Sequence, residues 1–269
     1  MGSEMCIRDR VTAATNNNWQ GFDLPRRNRI AVPPHPGDDA AEELHMQWLV
    51  DAKNIHGKNK QNANELVVLG QSLKMAEKLG DRPFWYAYTC DFRGRIYCSS
   101  TTLSVQGPDH IKSMLQFSEG KPLGREGVRW LAINGANKYG YDKVDYNDRL
   151  RWVMDQREAI RRFVESPTSS TSRSFIAGAD KPFQFAAFCF EWAGCGYGEN
   201  ADFVSHLPIG LDGSCNGLQH YGALLRDPRG GSGVNLTDSA VPSDIYGDVA
   251  AEFIRLLEAH TGDDVDKAR

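Results

Sequence analysis

The spacing of hydrophobic positions predicts helices near the start of the chain and a hairpin after them. Apolar residues recur at intervals of one or two turns over residues 39–56 and again over residues 62–79, which predicts two helices. A proline in the stretch 80–83 ends the second helix, because proline cannot continue a helix. Aromatic and β-branched residues then flank a turn-like stretch at 91–94, and this composition predicts a β-hairpin over residues 84–100.

Most of the remaining chain has helical periodicity. The pattern predicts five further helices, over residues 124–138, 147–165, 182–194, 216–226 and 244–260. The helix over residues 182–194 is apolar on nearly all sides, so we expect it to be buried. A stretch rich in Ser and Thr predicts a polar loop over residues 166–174, and an apolar run predicts a short buried strand over residues 207–211. Together these elements indicate a mixed, helix-rich α+β protein.

Composition narrows the class of protein. The chain has 269 residues, of which 41% are hydrophobic, and this is enough for a sizeable core. Its longest apolar stretches, such as residues 183–190, are shorter than the roughly 18 residues that cross a bilayer, so no membrane span is expected. The net charge of -4 does not indicate a nucleic-acid-binding protein, and a basic surface would be local, as in Arg26, Arg27 and Arg29. The six cysteines include no C-x-x-C pair and predict reduced thiols rather than a zinc site.

The first ten residues of the chain are not expected to belong to the folded protein. Residues 5–9, MCIRD, resemble a translated transposon-end sequencing adapter, so residues 1–10 are expected to be an artefact. We therefore expect the native start to be missing, and no targeting signal is assigned.

A single carboxylate, Asp212, stands between the predicted strand at 207–211 and the predicted helix at 216–226. A carboxylate in that position, beside the free backbone N–H groups of a helix start, suits Mg²⁺ and phosphate, because Mg²⁺ prefers oxygen ligands from one or two carboxylates and from substrate phosphates. The alternative is that Asp212 only caps the helix, and position alone favours the cap.

A second candidate lies in the predicted hairpin, in the stretch DFRGR at 91–95. In an extended strand, Arg93 and Arg95 share a face and would offer two guanidinium groups to one phosphate backbone. The alternative is a surface hairpin with an ion pair between Asp91 and an arginine, and the residues alone favour that alternative.

The longer strings around these residues resemble a known family. DGSCNGLQHYGALLRD at 212–227 resembles the first palm motif of the single-subunit, phage-type DNA-directed RNA polymerases, a class also found in mitochondria. DFRGR resembles the D-x-x-G-R element of that family, and SDIYGDVA at 243–250 resembles the entrance to its fingers domain. Stretches from residue 117 and over residues 183–194 are also similar to the family, so the resemblance is continuous.

The resemblance implies a role for five residues. Asp212 would be the catalytic aspartate that binds both Mg²⁺ ions, and the backbone carbonyl of Gly213 would help to hold one of them. Arg93 and Arg95 would contact the nucleic-acid backbone, and Tyr246 would lie near the incoming nucleotide. For Tyr246, packing of a helix-face tyrosine into the core remains an alternative.

The resemblance also implies an architecture, that of a palm–fingers–thumb polymerase. Residues 11–83 would be a helical segment on the thumb or N-terminal side, 84–239 the N-terminal part of the palm, and 240–269 the start of the fingers. The second catalytic aspartate of the family comes from a downstream H-D-S-type motif, and no such residue is found in this chain. We therefore expect the chain to be an internal fragment that is inactive by itself.

The implied cofactor is Mg²⁺, and the implied partners are a DNA template, an RNA transcript and ribonucleoside triphosphates, with a monomeric enzyme and no membrane. The expected location is the cytoplasm of an infected bacterial host for a phage enzyme, with the mitochondrial matrix as the alternative. Lys121 is expected to be solvated and His220 to be partly buried, and neither is assigned a role.

Two other functions remain open. A related family A type DNA polymerase would follow the aspartate with a glutamate that blocks the ribose 2′-hydroxyl, but residues 213–217 contain no acid, which favours ribonucleotides. A non-catalytic nucleic-acid-binding protein would bind phosphate in a salt-dependent way without Mg²⁺. The negative net charge and the position of Asp212 argue against that reading.

Overall fold

The structure is a computed structural model that describes residues 11–17, 22, 24–25, 28–37, 39–210, 213–239 and 242–261. The chain divides into two compact units. The first unit comprises Met1–Gly140 with Trp152–Pro208, and the second comprises Tyr141–Arg151 with Ile209–Arg269.

Helices dominate the described residues. In chain order they are α1 (residues 11–16), α2 (Glu42–Leu79), α3 (Asp109–Lys112), α4 (Gly124–Tyr139), α5 (Tyr146–Asp155), α6 (Arg157–Glu165), α7 (Ser170–Ala177), α8 (Pro182–Gly194), α9 (Asn216–Leu225), α10 (Pro228–Gly233) and α11 (Ile245–Thr261). The strands are β1 (Tyr88–Cys90), β2 (Ile96–Cys98), β3 (Lys121–Pro122) and β4 (Val204–Ser205). β1 pairs with β2 and β3 pairs with β4, in both cases antiparallel. The described residues therefore form a mixed, helix-rich fold, as predicted.

The core of the first unit is built around α8. Phe185, Phe188 and Trp192 on this helix are fully buried, and Phe188 stacks on both of the other rings at centroid distances of 5.7 and 5.8 Å. α4 crosses α8 at Gly135, where a Cβ would lie 2.3 Å from the Phe188 ring. The absence of a side chain at Gly135 therefore lets the two helices pack closely.

The start of α8 is held by a residue from a distant part of the chain. Asp109 accepts hydrogen bonds from the backbone N–H of Phe183 at 2.7 Å and of Gln184 at 3.1 Å. Pro182 occupies the first turn, where a missing N–H has no cost. Asp109 therefore supplies the cap that the adjacent residue, Lys181, does not provide.

The predicted helices at 124–138, 182–194, 216–226 and 244–260 are confirmed to within one residue at each end. The predicted hairpin is also confirmed, with paired strands that span Tyr88–Cys98 rather than the whole of residues 84–100. The prediction of two helices before residue 80 was wrong, because α2 is one continuous helix of 38 residues. Gly57 lies inside it without breaking it. A single glycine costs a helix about 1 kcal/mol, whereas a separate helix would need its own unfavourable nucleus.

Three smaller predictions were also wrong. The helix predicted over 147–165 is interrupted at Gln156, whose ψ of 1° departs from helical values. The loop predicted over 166–174 contains the start of α7, because Ser169 caps that helix through a hydrogen bond from the backbone N–H of Ser172. Residues 207–210 do not form the predicted strand, since Pro208 has no N–H to pair, and the strand β4 lies before them.

No helix within the described part of the chain is both long enough and apolar enough to cross a membrane.

Candidate functional site

Asp212, the carboxylate predicted to bind metal, lies outside the described residues, but the loop that follows it is described. Gly213 is exposed, and a Cβ there would lie 2.6 Å from Asn216 Oδ1, so a larger residue would force Asn216 to move. Cys215 adopts a left-handed conformation, with φ of 53°, and makes no side-chain cap hydrogen bond to α9. The loop thus presents an exposed glycine backbone at the position predicted to help hold Mg²⁺.

Asn235 connects this loop to the start of α11. Its Nδ2 donates to Ser214 Oγ at 2.7 Å and to the carbonyl of Ser243 at 2.9 Å. Its Oδ1 accepts from the backbone N–H of Ser243 at 2.7 Å. Sequence reasoning missed Asn235, and the only signal for it was an asparagine among small residues, where asparagine tolerates unusual backbone angles.

Gln219 on α9 fixes the segment that precedes Asn235. Its Nε2 donates to the carbonyl of Val234 at 2.7 Å, and the Val234 side chain is fully buried. Its Oε1 would lie 3.3 Å from a Cβ on Gly213, so the same side chain also borders the loop after Asp212. α9 therefore supports the loop and the Asn235 turn together.

Tyr246 lies in the first turn of α11 and is 68% exposed. The alternative that it packs into a core is therefore not seen among the described residues. Asp244, just before the helix, accepts from the backbone N–H of Gly247 at 3.3 Å and pairs with Lys143 at 3.4 Å. The Gly247 N–H and then the Lys143 ammonium lower the pKa of the Asp244 carboxyl. The start of α11 is thus capped by a carboxylate that stays charged.

The hairpin tip is organised by Asp91. Asp91 Oδ2 accepts from Arg93 Nε at 3.0 Å and from Nη2 at 2.8 Å, while Oδ1 accepts from the backbone N–H of Arg93 at 2.9 Å and of Arg95 at 3.0 Å. Tyr97 donates its hydroxyl to Oδ2 at 3.2 Å. Partial burial acts to raise the pKa of Asp91, but the Arg95 N–H, the Arg93 groups and the Tyr97 hydroxyl outweigh it and lower that pKa.

The two arginines of the tip differ in their surroundings. Arg93 lies in the turn rather than in a strand, so the premise that Arg93 and Arg95 share one face of an extended strand was wrong. The ion pair with Asp91 occupies Arg93, whose guanidinium also lies 5.4 Å from the centre of the 96% exposed Phe92 ring. The Arg95 side chain is exposed and makes no hydrogen bond or ion pair with any described residue. The ion pair of the surface-hairpin alternative is therefore present, whereas contact of Arg93 or Arg95 with a nucleic-acid backbone stays a prediction.

The predicted site residues fall into two groups. Arg93 and Arg95 belong to the first unit, and Gly213 and Tyr246 to the second. Within the described ranges, no three His, Cys, Asp or Glu side chains are grouped so as to hold a metal ion. Lys121 is exposed as expected, whereas His220 is exposed rather than partly buried.

Known proteins match most of the chain. The family described as DNA-dependent RNA polymerase matches residues 121–268. The chain is 37% identical over 260 residues to T7 RNA polymerase of Escherichia phage T7, covering 94% of the chain and 29% of that protein. It is 36% identical over 259 residues to the DNA-directed RNA polymerase of Enterobacteria phage T3, with the same two coverages of 94% and 29%.

A mitochondrial DNA-directed RNA polymerase, from Neurospora crassa, is also similar. It is 35% identical over 245 residues, which cover 90% of the chain and 17% of that protein. The chain therefore spans 29% or less of the length of these three relatives.

Proposed function

The chain belongs to the DNA-dependent RNA polymerase family, and from this premise we propose that it is part of a single-subunit, phage-type enzyme that transcribes DNA from ribonucleoside triphosphates by two-Mg²⁺ nucleotidyl transfer. One observation carries the proposal. The family match over residues 121–268 includes the whole stretch DGSCNGLQHYGALLRD, in which Asp212 is followed by an exposed glycine loop and a helix.

In the proposed reaction, the 3′-hydroxyl of the RNA attacks the α-phosphate of a ribonucleoside triphosphate in line, and pyrophosphate leaves. Asp212 would hold both Mg²⁺ ions, and the carbonyl of Gly213 would help to hold one. The residues present suit this ion, because carboxylate and backbone carbonyl oxygens are ligands that Mg²⁺ prefers. When bound, the two ions would stabilise charge on the entering and leaving oxygens.

The other residues have binding roles in the proposal. Arg95, whose guanidinium is unengaged by the described residues, would contact the nucleic-acid backbone, and Arg93 would contribute from its ion pair with Asp91. Tyr246, exposed at the start of α11, would lie beside the incoming nucleotide. Residues 11–83, 84–239 and 240–269 would belong to the thumb side, the palm and the fingers respectively.

The partners of the proposed enzyme are a DNA template, the growing RNA and ribonucleoside triphosphates. The relatives include both phage and mitochondrial enzymes. The proposed setting is therefore the cytoplasm of an infected bacterial host, with the mitochondrial matrix as the alternative. We propose a monomeric enzyme.

Primer extension tests the proposal without a promoter. The complete polymerase containing this chain is given an RNA primer annealed to a DNA template, with Mg²⁺ and either ribonucleotides or deoxyribonucleotides. Asp212→Asn should reduce extension by more than about 100-fold, because even residues that only orient a metal ligand contribute 10–100-fold. Asp238→Asn is the matched control, since Asp238 is an exposed carboxylate in a loop of the same unit.

Each alternative predicts a different result in this assay. Preferential extension with deoxyribonucleotides would favour a DNA polymerase. Binding of the primer–template that is sensitive to salt, but with no extension in Mg²⁺, would favour a non-catalytic binding protein. Wild-type extension by the Asp212→Asn variant would contradict the proposed role of Asp212.

A further inference from the structure

We propose that Asn235 is a positioning residue, which holds the loop after Asp212 in register with the start of α11. The inference rests on the proposed function, because it assigns the loop to metal binding and Tyr246 to the incoming nucleotide. It adds a residue that lies outside every motif by which the function was inferred. The contacts that support it all lie within the second unit.

The Asn235 side chain is used to nearly its full hydrogen-bonding capacity. An asparagine amide has two N–H donors and one carbonyl acceptor. Nδ2 of Asn235 donates to Ser214 Oγ at 2.7 Å and to the carbonyl of Ser243 at 2.9 Å. The acceptor takes the Ser243 N–H at 2.7 Å. The Asn235 amide therefore pairs with both the N–H and the carbonyl of Ser243, and its Nδ2 also reaches the Ser214 hydroxyl.

The backbone at residue 235 favours asparagine for a separate reason. Its φ is 58°, in the left-handed region that few residues other than glycine and asparagine adopt readily. The turn is fixed on both sides, by the bond from the Leu236 N–H to the Gly231 carbonyl at 2.8 Å and by the bond from Gln219 to Val234 at 2.7 Å. Asn235 therefore projects from a supported turn and not from a free loop.

Both ends of the connection lead to proposed site residues. Ser214 directly follows Gly213, whose carbonyl is proposed to bind metal. Ser243 precedes the carboxylate cap of α11 by one residue and Tyr246 by three. Loss of the amide would release the first turn of α11 and the loop from each other. We therefore expect weaker nucleotide binding and a higher Mg²⁺ requirement, and not simply less folded enzyme.

Two substitutions separate the side chain from the backbone. Asn235→Gly removes all three hydrogen bonds and still permits the left-handed backbone. Asn235→Asp keeps the shape and the acceptor but has no N–H to donate, so it tests the bond to the Ser243 carbonyl, whereas the Ser214 hydroxyl can still donate to the new carboxylate. Alanine would add backbone strain and is a poorer choice. Asp238→Asn, three residues further along, is the control.

Hydrogen exchange tests the contact independently of any activity. In the complete polymerase, Asn235→Gly should speed exchange of the Ser243 amide by roughly tenfold or more, because two hydrogen bonds to that residue are lost. Asp238→Asn should leave the exchange rate unchanged. An unchanged rate in Asn235→Gly would overturn the inference whatever the enzyme does.

Primer extension then tests the positioning role. We expect Asn235→Gly to raise the KM for ribonucleotides by at least about fivefold, with a rise in the Mg²⁺ concentration for half-maximal rate and a smaller effect on kcat. Asn235→Asp should lie between wild type and Asn235→Gly. A purely structural role would lower kcat through loss of active enzyme and leave KM and the Mg²⁺ requirement unchanged, and that result would overturn the inference.

The two proposals fail in different ways. If the wild-type enzyme extends no primer, the proposed function fails and the positioning role falls with it. If the wild-type enzyme extends the primer and Asn235→Gly behaves in the same way, only the positioning role of Asn235 fails.

Discussion

Asp109 Oδ2 accepts a hydrogen bond from the backbone N–H of Phe183 at 2.7 Å, across 74 positions of sequence. This contact joins the short helix α3 to the first turn of α8, the most buried helix of the first unit. A carboxylate at that end of a helix satisfies free N–H groups and complements the helix dipole. Asp109 therefore couples a local cap to the packing of the core.

Removal of this cap should destabilise the first unit. Asp109→Ala is expected to lower the free energy of unfolding by about 1–2 kcal/mol, since helix caps contribute that much. Asp109→Asn should cost less, because the amide oxygen still accepts a hydrogen bond. Urea unfolding followed by circular dichroism measures the difference, with Asp202→Ala, an exposed carboxylate, as the control. Equal stability of Asp109→Ala and Asp202→Ala would show that the cap has no energetic role.

A side chain at Gly135 should disrupt the crossing of α4 and α8. Gly135→Ala places a Cβ 2.3 Å from the Phe188 ring, so the helices must separate. We expect the free energy of unfolding to fall by about 1–3 kcal/mol. Gly57→Ala is the matched control, because Gly57 is also inside a helix but has no atom within 4 Å of its Cβ position. That variant should be stabilised by about 0.5–1 kcal/mol through helix propensity.

The hairpin tip should depend on pH through Asp91. Its lowered pKa means that the folded tip favours the charged carboxylate, so the tip is stabilised above the ordinary carboxyl pKa of about 4 and loses this stabilisation as the pH falls through the lowered value. The exchange rate of the Arg95 amide should therefore rise below about pH 4 beyond its intrinsic pH dependence. Asp91→Asn should abolish that pH dependence, and its persistence in the variant would contradict this assignment.

The two tip arginines should differ in their effect on nucleic-acid binding. Arg95→Ala is expected to weaken binding of an RNA–DNA primer–template by the complete polymerase and to reduce the slope of log K against log salt by about 0.7–0.9, the value for one phosphate contact. The free energy of unfolding should not change, because the Arg95 guanidinium has no hydrogen-bond or ion-pair partner among the described residues. Arg93→Ala should also loosen the tip, since it removes the ion pair with Asp91.

The control for this comparison is Arg161→Ala, on the exposed face of α6. Arg161 pairs with Glu158 at 3.0 Å. Replacement of Arg161 by alanine should leave the salt dependence of primer–template binding unchanged. A slope for Arg95→Ala equal to that of Arg161→Ala would show that Arg95 does not contact phosphate.

The amino-acid sequence predicted the elements that depend on near neighbours. Helices α4, α8, α9 and α11 follow from apolar periodicity, because helical hydrogen bonds join residues only four apart. The hairpin follows from aromatic and β-branched residues around a glycine turn. The family was also evident from the sequence, since its motifs are continuous strings such as residues 212–227.

The roles of Asp109 and Asn235 were decided by the tertiary structure. Asp109 reaches a helix more than 70 positions away, and Asn235 joins two segments that no periodicity relates. Such contacts depend on where the folded backbone brings distant groups within about 3 Å, and spacing along the chain carries no information about that distance.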